Sequence, residues 1–238
     1  MAQRSASPRP WSTRLLSLAV VVGFVLLLLR APLPGYVLRP GPVFPLADQV
    51  RVEGAAPLNG DYLFTTIRLD AATMASALAT AFDPEAQVVS RRALLGDLDE
   101  EAFVAHQEDL FDQAEALAIM LALDLTDSDV PASAVTISGE GVGGPSAGLM
   151  ITLAVADLAS PQDLADGRLI AGTGAVDEEG RVIDVSSVAD KVTAADEAGA
   201  DVFLVPPGLL DAAQATGTDM VLLPVATVDE ALTALAEG

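Results

Sequence analysis

The 238-residue chain has no cysteine, one histidine, one tryptophan and one lysine. Without cysteine it has no disulfide framework and no thiolate nucleophile. The single histidine, His106, cannot build a usual zinc site, and the acidic residues do not cluster at metal-ligand spacing. No metal or other cofactor is expected. Basic residues are scarce and unevenly placed. Residues 1–30 hold four Arg and no acid, so the remainder sets eight basic residues against all 34 acids, 8 − 34 = −26. A domain so acidic cannot neutralise phosphates, which excludes nucleic acid as a partner. The charge is read as a solvated surface that keeps the domain soluble.

Long apolar runs are also few, and one stands out. Residues 15–29 are apolar except for Ser17 and Gly23. Fifteen helical residues span about 22 Å, short of a bilayer core of roughly 30 Å. Extension over residues 11–33 closes the gap if Arg14 and Arg30 reach the interfaces. Arg4, Arg9 and Arg14 precede the run, so the N-terminus is expected to be cytoplasmic and the remainder extracytoplasmic. A cleaved signal peptide is the rival, but the run is followed by Arg30-Ala-Pro-Leu-Pro34 rather than an A-x-A-like site. Pro32, Pro34, Pro40, Pro42 and Pro45 then predict a stiff, non-helical stem.

Chemistry is concentrated in one stretch. The alternating run Ala134-Val-Thr-Ile-Ser138 is followed by Gly139-Glu-Gly-Val-Gly-Gly-Pro-Ser-Ala-Gly148, then by an apolar helical run over 149–158. Pro145 suits the first turn of that helix, where its missing N–H costs nothing. Ser146 then sits among unpaired backbone N–H groups at the positive end of the helix, a place that stabilises an oxyanion. Gly144 and Gly148 leave room for a substrate carbonyl. Two other readings compete. The stretch is also a glycine-rich turn that merely contains a serine. Gly139, Gly141 and Gly144 also spell the G-x-G-x-x-G of a dinucleotide site, but the next strand, 168–171, ends in Gly172-Thr-Gly174 without the acidic residue that motif requires.

A serine nucleophile needs a base. Arg keeps its proton in proteins, whereas a desolvated Lys can lose it. Lys191, the sole lysine, lies in a helical stretch over 187–198 that opens like a capping box at Ser187 and closes at Gly199. Its neighbours at helical spacing are Ser187, Val188, Ala194, Ala195 and Ala198, a nearly apolar stripe. A lysine there either snorkels or is buried, and burial lowers its pKa. The alternative is a surface lysine spared by a bias to Arg.

Gly144-Pro-Ser-Ala-Gly148, Ala171-Gly-Thr-Gly174, Gly180-Arg-Val182 and Asp190-Lys191 together resemble the proteolytic domain of Lon proteases, from about residue 135 to the C-terminus. The resemblance implies a Ser–Lys dyad with Ser146 as nucleophile and Lys191 as general base. It also implies that Thr173 orients the lysine, with Gly144, Pro145, Ala147 and Gly148 in support. Arg39-Pro-Gly-Pro42, Thr65-Thr66 and Gln113 look like the membrane-anchored Lon-like bacterial peptidases, which usually carry a PDZ domain. Three departures stand out. There is no ATPase domain, residues 126–133 leave no room for a PDZ module, and Ser186-Ser187 replaces the usual glycine pair before the lysine helix. The family further implies protein or peptide substrates and a ring-shaped oligomer such as a hexamer.

The remaining pattern reads as strands at 50–52, 62–69, 88–89, 181–184, 202–205 and 219–223. Helices are expected at 70–82, 97–125 and 207–215, and after a capping box at Thr227. The expected class is α+β, or α/β-like, with a Lon-like fold behind a transmembrane helix. Three segments follow: an anchor over 1–34, an N-terminal extracytoplasmic part over 35–133 and a catalytic region over 134–238. The expected activity is that of a membrane-anchored, ATP-independent serine endopeptidase. The alternative is an inactive Lon-like scaffold outside the membrane.

Overall fold

A computed structural model describes residues 11–83, 86–138 and 143–237, with residues 12 and 13 as backbone alone. The elements in chain order are α1 (Trp11–Leu29), β1 (Pro32–Pro45), β2 (Val50–Val52), β3 (Asp61–Thr73), α2 (Met74–Ala79), β4 (Gln87–Ser90), α3 (Arg91–Leu95), α4 (Glu100–Leu125), β5 (Val135–Ile137), α5 (Gly148–Ala159), β6 (Leu169–Gly172), β7 (Ala175–Val176), β8 (Val182–Ile183), α6 (Val188–Glu197), β9 (Val202–Val205), α7 (Leu210–Gln214), β10 (Val221–Pro224) and α8 (Val228–Ala236). The class is mixed α+β. The chain forms two compact units, one of residues up to 38 with 69–94, the other of residues 39–68 and from 95 onward.

In the smaller unit the apolar run is helical, with its leucine and valine side chains exposed. The helix stops at Leu29 rather than reaching 33. Arg30 and Ala31 close its last turn with bonds to the Leu27 and Leu28 carbonyls, and strand β1 begins at Pro32, where proline has no N–H to continue the helix. Side chains are described without a break over 14–29, about 24 Å of helix. Among the described residues no helix is long and apolar enough to cross a membrane. The start of β1 pairs antiparallel with β4, Gly35 to Leu38 against Ser90 to Gln87. The expected proline stem is therefore a strand. The expected helix over 70–82 is also delayed. Strand β3 runs on to Thr73, and α2 begins there because Thr73 and Ser76 form a capping box.

The larger unit holds a sheet in the order β10-β9-β6-β3-β1. Pairs β3/β6, β6/β9 and β9/β10 are parallel. Pro40, Pro42 and Pro45 lie in β1 beyond its Gly35–Leu38 pairing with β4, where a missing N–H costs that ladder nothing. Alternation sends side chains to two cores. Tyr62, Phe64, Ile170 and Leu204 pack with α4, α5 and α8 on one face. Leu63, Ala171, Phe203 and Val205 pack with Val188, Val192 and Ala195 of α6 on the other. Helix α5 is buried from Gly148 to Asp157, as a helix apolar on all sides must be. Its one buried carboxylate is fully served. Asp157 accepts from Tyr62 Oη at 2.8 Å and from the backbone N–H groups of Leu164 and Ala165. Helix α4 starts at an Asp99 cap, close to the expected position, and only residues 126–134 separate it from β5.

Candidate active site

Ser146 lies in a 3-10 turn, Pro145–Ala147, which leads directly into α5. Gly144 precedes the turn at φ 85°, a left-handed conformation that glycine adopts without a Cβ penalty. Its N–H donates to the Gln107 carbonyl of α4 at 2.7 Å, and a Cβ at 144 would lie 2.9 Å from Gln107 Oε1. Gln107 thus packs over the glycine turn. The reading of the sequence passed over it, because nothing in an acidic helix marks one glutamine as the neighbour of a motif so far along the chain. The adjacent His106 is exposed. Gln113 Nε2 donates to Asp109 within the same helix, at 2.8 Å. Gly139 and Gly141 of the dinucleotide reading lie outside the described residues.

The Ser146 carbonyl ties this turn to the end of β6. It accepts from the Gly174 N–H at 3.0 Å and from Thr173 Oγ1 at 3.4 Å. Glycine is needed on both sides of Thr173. A Cβ at 172 would sit 2.6 Å from Met150 Sδ, and one at 174 would sit 2.5 Å from Val182 Cγ1. Larger residues would force α5 or β8 away and uncouple Thr173 from Ser146.

Lys191 approaches from the other face of the sheet. It is 4% exposed on α6, beside buried Val188, Val192, Ala194 and Ala195. Its Nζ donates to Thr173 Oγ1 at 3.0 Å. Lys191 and the carbonyl of Ser146 therefore meet at one hydroxyl, which has a lone pair for the amine and a proton for the carbonyl. Burial pulls the lysine pKa down to about 8, partly offset by the charge of Asp190. The Ser146 side chain is half-buried and makes no hydrogen bond among the described residues. The arrangement supplies an amine that is partly neutral near physiological pH and a serine hydroxyl free to move.

Ser187 does not cap α6 as a capping box would. It sits at φ 55° with no side-chain bond to the helix. A left-handed serine costs roughly 1–2 kcal/mol relative to a right-handed one, which explains why glycine suits this position. Among the described residues no group of His, Asp and Glu is placed to hold a metal ion.

The low pKa has a consequence for stability. The unfolded chain keeps the lysine proton up to 10.5, whereas the folded chain releases it near 8. Between those values the unfolded state binds more protons, so stability rises with pH. Below 8 the buried charge costs on the order of 3 kcal/mol. Lys191→Met should therefore be more stable than the parent by up to about 3 kcal/mol at pH 7, with the gap closing as pH rises from 8 to 10.5. Denaturant melts at several pH values measure this. A gap that stays constant would show that Lys191 is not charged and buried.

Residues 126–237 match the family model of the Lon protease (S16) C-terminal proteolytic domain. No curated protein matches the chain.

Proposed function

We propose that Ser146 and Lys191 are the catalytic dyad of a serine-peptidase domain acting on protein substrates, since residues 126–237 match the Lon protease (S16) proteolytic domain. The observation that carries this reading is the buried Lys191–Thr173–Ser146 linkage. Ser146 Oγ attacks a peptide carbonyl carbon while its proton passes to neutral Lys191 Nζ. The carbonyl oxygen becomes an oxyanion held by backbone N–H groups in the first turn around Ser146. The lysine ammonium then gives its proton to the departing amine, leaving an acyl-enzyme. Water adds to that ester as Lys191 takes its proton, and the ammonium returns a proton to Ser146 Oγ as the acid is released.

We further propose that the enzyme is membrane-anchored and works without ATP, on unfolded or exposed segments. The apolar side chains of α1 are exposed, and Arg14 and Arg30 flank them. Met74, whose N–H bonds to the Ala31 carbonyl, Leu78 and Phe82 add exposed apolar surface to the same unit. These features favour a single-pass anchor with the N-terminus cytoplasmic and the catalytic domain extracytoplasmic. A P-loop needs a lysine, and Lys191 is the only one in these 238 residues. A ring of copies, such as a hexamer, would sequester the sites.

A fluorophosphonate probe tests the dyad. It should label the parent protein, fail on Ser146→Ala, and react at least about 100-fold more slowly with Lys191→Arg, whose guanidinium cannot accept the serine proton. A folded Lys191→Arg protein labelled at the parental rate would end the dyad reading. A parent that never labels would favour the inactive scaffold. Topology is tested separately. The full chain should fractionate with membranes and lose its C-terminal domain to protease added outside spheroplasts. Its release as a soluble form would exclude the anchor.

A further inference from the structure

Among the described residues one buried side-chain polar atom has no hydrogen-bond partner, the hydroxyl of Thr65. Thr65 is 3% exposed. A hydroxyl withdrawn from water with nothing to bond is unfavourable, and native folds keep such groups rare. Its position in β3 gives the orphan atom a meaning. Side chains alternate along the strand. Phe64 packs in the core beside α5, while Leu63 packs with Ala171, Val188 and Val192 beneath α6. Thr65, two residues from Leu63, shares that second face, the face from which Lys191 approaches. Thr66 points the other way, and its hydroxyl donates to the Pro42 carbonyl at 2.7 Å. Along the sheet, β3 and β6 run parallel, with Phe64 opposite Gly172 as the last pair. One step further along both strands lie Thr65 and Thr173, the hydrogen-bond partner of Lys191.

We propose that Thr65 is a positioning residue whose hydroxyl oxygen accepts a hydrogen bond from the Lys191 ammonium formed when the lysine takes the Ser146 proton. The proposal rests on the dyad reading. An ammonium carries three N–H donors. In the structure Lys191 Nζ donates to Thr173 alone among the described residues, and that hydroxyl is already committed to Ser146. In an apolar pocket each further N–H needs an acceptor. Thr65 supplies an uncommitted oxygen on the right face. Since the bond is not made in this structure, it favours the charged lysine over the resting one. An interaction gained only as charge develops lowers the barrier rather than merely tightening the ground state.

The test replaces the hydroxyl by a methyl group of the same shape, Thr65→Val, with Thr65→Ser as the variant that keeps the oxygen. The sole lysine makes its Nζ signal in a lysine-labelled NMR sample unambiguous, so its pKa is read directly at constant Asp190. Losing an acceptor for the charged form lowers that pKa. The expected result for Thr65→Val is a pKa lower by about half a unit or more and labelling of Ser146 by a fluorophosphonate slowed roughly tenfold. Its melting temperature should be no lower than the parent's, and Thr65→Ser should restore both readouts. A folded Thr65→Val protein with an unshifted lysine pKa overturns the proposal, whatever its labelling rate. Should Lys191→Arg keep parental labelling, the dyad reading fails instead. A shifted pKa would then still establish the contact between Thr65 and the lysine.

Discussion

The site depends on one unfavourable act, the burial of a lysine. Lys191 occupies an apolar stripe of α6, and its Nζ has a single hydrogen-bond partner among the described residues, Thr173. An ordinary surface lysine is protonated at neutral pH and useless as a base. Desolvation makes the neutral form accessible near pH 8. The cost falls on fold stability, and the apolar packing of Val188, Val192 and Ala195 against the sheet offsets it. Stability is given up where the proposed chemistry needs a neutral amine.

Everything near the lysine serves to aim it. The parallel strands β3, β6 and β9 direct their C-terminal ends toward one place, where the turn of Ser146 and the helix of Lys191 converge from opposite faces. Thr173 leaves the end of β6 between two glycines, and the absence of Cβ atoms at 172 and 174 lets α5 and β8 close over it. Because the Ser146 carbonyl accepts from both Gly174 and Thr173, a shift of β6 would move Ser146 and the lysine's partner together. The buried Asp157 at the far end of α5 locks that helix to β3 through Tyr62, so the serine turn is held at both ends of its helix.

Much of this was legible in the chain. Gly144-Pro145-Ser146 announced a turn followed by an apolar helix, and the apolar neighbours of Lys191 left it either snorkelling or buried, of which the structure shows the second. Local patterns carry such information because helix starts and apolar stripes are set by residues a few positions apart. The misreadings have the opposite cause. The prolines of 32–45 read as a stem, since nothing local says that 35–38 find a partner strand at 87–90. The helix expected from residue 70 starts later, because the ladder of β3 continues to Thr73. Gln107 and the orphan hydroxyl of Thr65 acquire meaning only when distant segments are brought together, and Ser187 hid a left-handed backbone under the look of a capping serine.

The central claim is that neutral Lys191 activates Ser146. The pH dependence of fluorophosphonate labelling in the parent protein tests it most directly. The account predicts a second-order rate constant that climbs about tenfold per pH unit at low pH and levels off above a midpoint near 8, where the buried lysine loses its proton. A rate independent of pH between 6 and 10, or one still climbing toward the ordinary lysine value of 10.5, would contradict it.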